Sequence, residues 1–217
     1  MAGSGANDTG LVVLVHGLGR TPLSMLPLAW SLRRAGFRVL NFGYSSCGPS
    51  VAQIGQRLAR VLARERPDDA GPVHFVGHSL GNIVIRWLIA RQRPRRLGRV
   101  VMLAPPNRGS RLADRLAPYL GRLLPPIREL GTGSGTAVEL APPRDVEFAV
   151  IAGRRDRKVR VEETRLAGAA AHVVVPAGHT FIMMRRDVRR LVLRFLREGT
   201  CKEASAALVA AADTSGT

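Results

Sequence analysis

Cysteine is nearly missing: Cys47 and Cys201 are the only two, so neither a disulfide framework nor a C-x-x-C metal pattern can be built, and no metal or organic cofactor is implied. Lysine is as scarce, since among 33 basic residues only Lys158 and Lys202 are lysines. Against 16 acidic residues this leaves a formal net charge of +17. A field of that sign concentrates polyanions. The preference for arginine, however, is better explained by GC-rich codons than by selection for phosphate contacts, and aromatics are only 5% of the chain, with no stacking set among them. Nucleic acid is therefore not an expected partner, while peripheral contact with an anionic membrane surface stays open. Also absent is any run near the roughly 20 apolar residues of a spanning helix. Met1 to Gly10 is small and polar, with no basic region leading into an apolar stretch. A flexible N-terminus and a cytoplasmic location are expected.

What is present is a core-forming chain, with 46% hydrophobic residues in 217, enough for one domain. Short β-branched runs alternate with segments of helical period, the pattern of a parallel sheet covered on both faces. Strands are expected at about 11–15, 37–42, 72–76, 98–104, 146–152 and 171–175. Val51, Ile54, Leu58, Val61 and Leu62 mark one helix, and Val188, Leu191, Val192 and Phe195 another, at i, i+3, i+4 or i+7 spacing. Residues 23–35, 79–93 and 161–169 supply the remaining crossovers. The expected architecture is a three-layer α/β/α sandwich around a six-stranded, mainly parallel sheet, in a domain over residues 11–198.

One connection is too long for an ordinary crossover: residues 105–144 separate the fourth and fifth strands. It reads as a cap insertion, about 107–142. Leucines at helical spacing are interrupted by Pro118 and stopped by Pro125 and Pro126, and the run Gly131 to Thr136 is flexible by composition. Broken helices and hinges suit a mobile lid, with Leu116, Leu120 and Leu123 lining an acyl pocket and Arg108, Arg111, Arg115 and Arg122 facing outward. Residues 199–217 are Ala-rich and polar and are expected to be a disordered tail.

The chemistry concentrates at Gly77-His78-Ser79-Leu80-Gly81, which follows a strand and runs directly into the helical pattern Ile83, Val84, Trp87, Leu88. A serine on so sharp a turn is lifted above the sheet edge, and the flanking glycines let strand and helix converge. A nucleophilic serine needs a base and donors for an oxyanion. After the first strand, His16-Gly17-Leu18-Gly19 exposes backbone amides, so the N–H groups of Leu18 and Leu80 form the natural pair; His16 itself reads as a structural tie. Of the five histidines, His179 alone sits in a loop after the last strand. Asp156 follows the fifth strand directly, whereas Asp145 precedes it, Asp114 and Glu139 fall in the insertion, and Glu162 and Glu163 begin a helix. The order Ser79, Asp156, His179 is that of a catalytic triad.

These residues carry a resemblance. The chain is similar, over about 11–198, to the α/β-hydrolase superfamily, and within it to small bacterial esterases and lipases with a reduced core. The similarity follows His16-Gly17-Leu18-Gly19, Gly77 to Gly81, Asp156 with Lys158-Val159, and Gly178-His179-Thr180. The stretch Ala104 to Ser110 resembles the loop that opens the cap in lipases and inositol deacylases, with Asn107 and Asn82 where those relatives often have histidine and glycine. The resemblance implies a serine hydrolase of small or lipid carboxylic esters, working through an acyl-enzyme. An acyltransferase or thioesterase with the same residues, and a non-catalytic cationic binding protein on the same fold, are the competing expectations.

Overall fold

The computed structural model describes residues 10–65, 71–133 and 136–202. Six strands, β1 (Leu11–Val15), β2 (Arg38–Phe42), β3 (Val73–His78), β4 (Leu97–Leu103), β5 (Phe148–Gly153) and β6 (Ala171–Val175), form one sheet in the order β2-β1-β3-β4-β5-β6. Every pair is parallel. The sheet follows from strand alternation. Val13, Val15 and Phe75 face one layer, while Val12, Leu14 and Val76 face the other, and all are fully buried.

The first layer is α2 (Val51–Glu65) and α3 (Leu80–Arg91); the second is α1 (Leu26–Arg34) and α7 (Arg186–Glu198). The stripes read from periodicity are the ones that pack: Val51, Ile54, Leu58 and Leu62 from α2, and Val188, Leu191, Val192 and Phe195 from α7. Such side chains contribute about 1.5–3 kcal/mol each when fully buried.

Three expectations change. β3 runs two residues further than expected, because Gly77 and His78 stay in register with Met102 and Leu103 of β4. Residues 161–169 form no crossover helix. They contain one 3₁₀ turn, Val161–Thr164, whose N3 residue Glu163 accepts from the Arg160 N–H (2.7 Å) and, with its other oxygen, from the Arg111 N–H (3.1 Å), tying two loops together. Pro118 does not interrupt its helix: α4 (Arg111–Leu120) continues through it. The ring removes the one N–H that would donate to the Asp114 carbonyl a turn back, and the helix ends two residues later.

Two further short helices, α5 (Pro126–Glu129) and α6 (Thr136–Glu139), complete the segment between β4 and β5. The expected tail beyond Lys202, the first nine residues, and Ser134 and Gly135 of the expected hinge lie outside the described residues. No helix among the described residues is long and apolar enough to cross a membrane.

Candidate active site

In an all-parallel sheet every strand delivers its chain to the same edge, so the loops after β1, β3, β5 and β6 converge without long excursions. Ser79 immediately follows β3 and adopts φ 51°, ψ −119°, a region that a residue bearing a Cβ enters only under constraint. The constraint is visible. Ser79 N–H donates to Leu103 O (3.0 Å), and the Asn82 side-chain amide donates to both Ser79 O and Leu103 O (3.1 Å each). A Cβ at Gly77 would lie 2.3 Å from Asn82 Oδ1, and one at Gly81 2.2 Å from Val15 O, so neither position admits a side chain. Asn82 thereby serves the turn.

Asp156, three residues past β5, and His179, four past β6, complete a hydrogen-bonded chain. His179 Nδ1–H donates to Asp156 Oδ2 at 2.7 Å, which leaves Nε2 to accept from the Ser79 hydroxyl at 2.9 Å. The other Asp156 oxygen accepts from Lys158 N–H (2.8 Å) and Val159 N–H (2.9 Å), so the carboxylate is held at both ends. Its side chain is fully buried and that of His179 nearly so. The alternative acid, Asp145, is exposed and engaged by Arg93 at 2.6 Å, before the start of β5; that guanidinium holds its carboxyl below the ordinary range, against a smaller opposing effect of desolvation.

Two histidines in the motifs act through the backbone. His16 is buried and stacked on Tyr44, with ring centroids 4.1 Å apart. Its Nδ1–H donates to Gly17 O (3.0 Å), Nε2 accepts from Tyr44 N–H (3.4 Å), and burial lowers its pKa in keeping with that neutral form. Gly17 O also accepts from Arg20 N–H. A trans peptide points C=O and N–H in opposite directions, so tying back the Gly17 carbonyl turns the Leu18 N–H away from this network; Leu18 itself borders the cleft. Leu80 N–H belongs to the first turn of α3, whose donors have no partner within the helix.

In the sequence His78 is only one position of its motif. Its Nε2–H donates to His179 O (2.9 Å), fixing the loop that carries His179. Burial first, then the neighbouring His179, pushes its pKa down to about 3. Only its exclusion from solvent marks it out, and one position in a motif does not disclose that.

Ser79, His78 and His179 border a cleft of about 320 Å³. Leu112, Ala113 and Leu116 of α4, with Ile127 and Leu130, supply apolar wall, and Arg20 and Lys158 add positive charge. Of the three leucines expected to line an acyl pocket, Leu116 borders this cleft. Leu120, one helical turn further along, packs against the core instead, and Leu123 lies beyond α4, exposed, its carbonyl taking the Gly48 N–H.

The insertion is laced to the domain. Arg86 on α3 reaches Asn107 Oδ1 (3.2 Å) near its start and Leu140 O near its end, Asn107 donates to Thr164 O (2.8 Å), Ser110 Oγ to Lys158 O (2.8 Å), and Glu129 accepts from Val51 N–H (2.8 Å). These anchors tie the insertion to the domain, and its residues form one wall of the cleft.

A parallel sheet sandwiched by helices, with a strained serine after its central strand, defines the α/β-hydrolase class of fold. The profile of the Alpha/beta hydrolase family matches residues 12–149, and the chain belongs to that family. The match contains Ser79 and ends before Asp156 and His179. Comparison with curated protein sequences finds no match. Among solved structures the fold is similar to the phospholipase PlaB of Legionella pneumophila (TM-score 0.70, 17% identity, 94% of this chain and 62% of that one). It is also similar to the Bacillus licheniformis lipase BlEst2 in mature form (0.67, 17%, 85% and 91%) and to a monoacylglycerol lipase of Paleococcus ferrophilus (0.65, 20%, 89% and 96%). The chain thus spans 62% of the Legionella enzyme's length, and at these identities the likeness is one of fold.

Proposed function

We propose that the protein hydrolyses carboxylic esters with Ser79 as nucleophile, His179 as general base and then acid, and Asp156 as the group that orients the imidazole. The reading is carried by one observation: the unbroken Asp156, His179, Ser79 hydrogen-bond chain, 2.7 and 2.9 Å, at the edge of a cleft with apolar walls. Ser79 Oγ attacks the ester carbonyl carbon as its proton passes to His179 Nε2. The carbonyl oxygen, now an oxyanion, accepts from the Leu18 and Leu80 N–H groups. Collapse expels the alcohol, which takes the proton from His179, and leaves an acyl-Ser79 ester; water, deprotonated by His179, then releases the acid. His16 and His78 act as positioning residues, one for the Leu18 amide and one for the His179 loop.

The apolar wall of Leu112, Ala113 and Leu116 favours an aliphatic acyl group, consistent with the lipases and the phospholipase that share the fold. A fluorophosphonate probe is the direct test, because it phosphonylates only an activated serine. The intact chain is expected to label, Ser79→Ala not at all, and His179→Ala far more slowly. Labelling that survives Ser79→Ala would overturn the assignment.

A further inference from the structure

Seven large hydrophobic side chains stand exposed among the described residues, and five of them fall on three adjoining elements. Leu23, Leu26 and Trp30, which are 70%, 45% and 59% exposed, follow one another at i, i+3 and i+7 along the 3₁₀ turn Pro22–Met25 and α1. They form an outward stripe opposite the buried Met25, Leu28, Ala29 and Leu32. Phe181 and Met184 stand out from the 3₁₀ turn Ile182–Met184 and its cap, which packs beside α1. A helix with one apolar stripe has a use for it, and α1 has two.

Charge completes the pattern. Residues 9–64 contain no aspartate or glutamate, and neither do residues 164–186. Arg33 and Arg34 flank the α1 stripe; Arg34 lies 4.7 Å over the Trp30 ring and Arg20 5.6 Å over the Phe181 ring. Arg186 and Arg189 follow Met184, and Asp187, the one acid at this edge, is clasped by Arg185. By contrast the insertion, whose arginines the sequence pointed to, carries Asp114, Glu129 and Glu139 and meets Glu163. The face also abuts the cleft, since Arg20 and Thr180 border it, three residues before Leu23 and one before Phe181.

We propose that this face docks on an anionic lipid surface: Leu23, Leu26, Trp30 and Phe181 enter the headgroup layer, the arginines around them meet lipid phosphates, and the mouth of the cleft comes to rest against the membrane. The proposal deepens the hydrolase reading and rests on it for the purpose of docking, by making the substrate an ester presented at an interface. An aromatic with an apolar body and a polar N–H, such as Trp30, suits that boundary, and a cationic rim gives the attachment its lipid selectivity.

The test uses the full chain carrying Ser79→Ala, so that vesicles are not consumed, with phosphatidylcholine vesicles with and without phosphatidylglycerol. Cosedimentation with the anionic vesicles is expected, with a blue shift of Trp30 emission that Trp30→Ser removes and binding that falls steeply with salt. Both Leu23→Ser/Leu26→Ser and Arg33→Glu/Arg34→Glu are expected to weaken binding at least tenfold. In the active chain both pairs are expected to leave turnover of a soluble short-chain ester unchanged. Equal binding to neutral vesicles, or binding indifferent to both double variants, overturns the proposal. So does a parent that self-associates without vesicles and turns monomeric in Leu23→Ser/Leu26→Ser, because a second copy then covers the face. Vesicle binding without any ester turnover would sink the hydrolase reading and leave the docking face standing.

Discussion

Acid should destabilise this protein, in good part through His74, well before most of its carboxylates are protonated. His74 is 6% exposed in β3; its Nδ1 accepts the Arg99 N–H at 2.9 Å, and burial, reinforced by the Arg99 charge, pushes its pKa down to about 4 from the ordinary 6.5. Because the folded value is depressed, the unfolded chain takes up the proton first. The stabilising effect of the neutral ring is therefore complete above pH 6.5 and is lost as pH falls from 6.5 toward 4. At about 1.4 kcal/mol per unit, going from pH 7 to pH 5 costs about 2 kcal/mol for His74. His78, held down to about 3 in the site, adds a similar amount over the same interval. Their sum, about 4 kcal/mol, is a large part of the 5–15 kcal/mol that holds a typical domain together. In His74→Asn the side-chain oxygen can still accept from Arg99, but nothing titrates. Urea unfolding at pH 7 and pH 5 should show the parent losing about 2 kcal/mol more than the variant across that interval, carboxylate contributions being common to both. A variant whose loss equals the parent's would refute the linkage.

Asp156→Asn should lower ester turnover by about 10⁴-fold, and Ser79→Ala with His179→Ala should be no less active than Ser79→Ala alone, as initial rates on a soluble ester will show. Leu116→Trp should shorten the preferred acyl chain in a series of p-nitrophenyl esters, whereas Leu123→Trp, outside the cleft, should leave the profile unchanged; equal shifts would contradict the placement of both. Arg86→Met leaves the buried Leu140 carbonyl and the Asn107 side chain without a donor, at about 1–3 kcal/mol for each group. Its urea midpoint should drop, and proteolysis should attack the insertion first.

The strands were legible because a parallel sheet buried on both faces leaves little choice of side chain: Leu11 to Val15 or Phe148 to Ala152 can be almost nothing else. Ser79, Asp156 and His179 were legible for a related reason, since each follows a strand and chain order alone brings the three to one edge. The cleft wall was not. Whether Leu116, Leu120 or Leu123 faces the serine depends on where α4 ends and how it is docked, and that is decided by long-range ties such as Arg86 to Leu140 and Ser110 to Lys158. Glu162 and Glu163 do begin a helical turn, with Glu163 capping the Arg160 N–H, but how soon it stops and that the other Glu163 oxygen caps Arg111 depend on long-range docking in the same way. His78 stayed hidden because its partner is a carbonyl 101 residues away.

The same parallel sheet sends both ends of the described chain to the edge away from the cleft. Gly10 enters β1 there, its carbonyl accepting from Arg38 at the start of β2, and α7 finishes there, with Leu196 O and Arg197 O held by Arg99 near the start of β4. A linker at either end, to a resin, an electrode or a second enzyme, would therefore leave the serine pointing into the surrounding liquid. Attachment through Leu23 and Phe181, which lie beside the cleft-bordering Arg20 and Thr180, would instead turn the cleft toward the support.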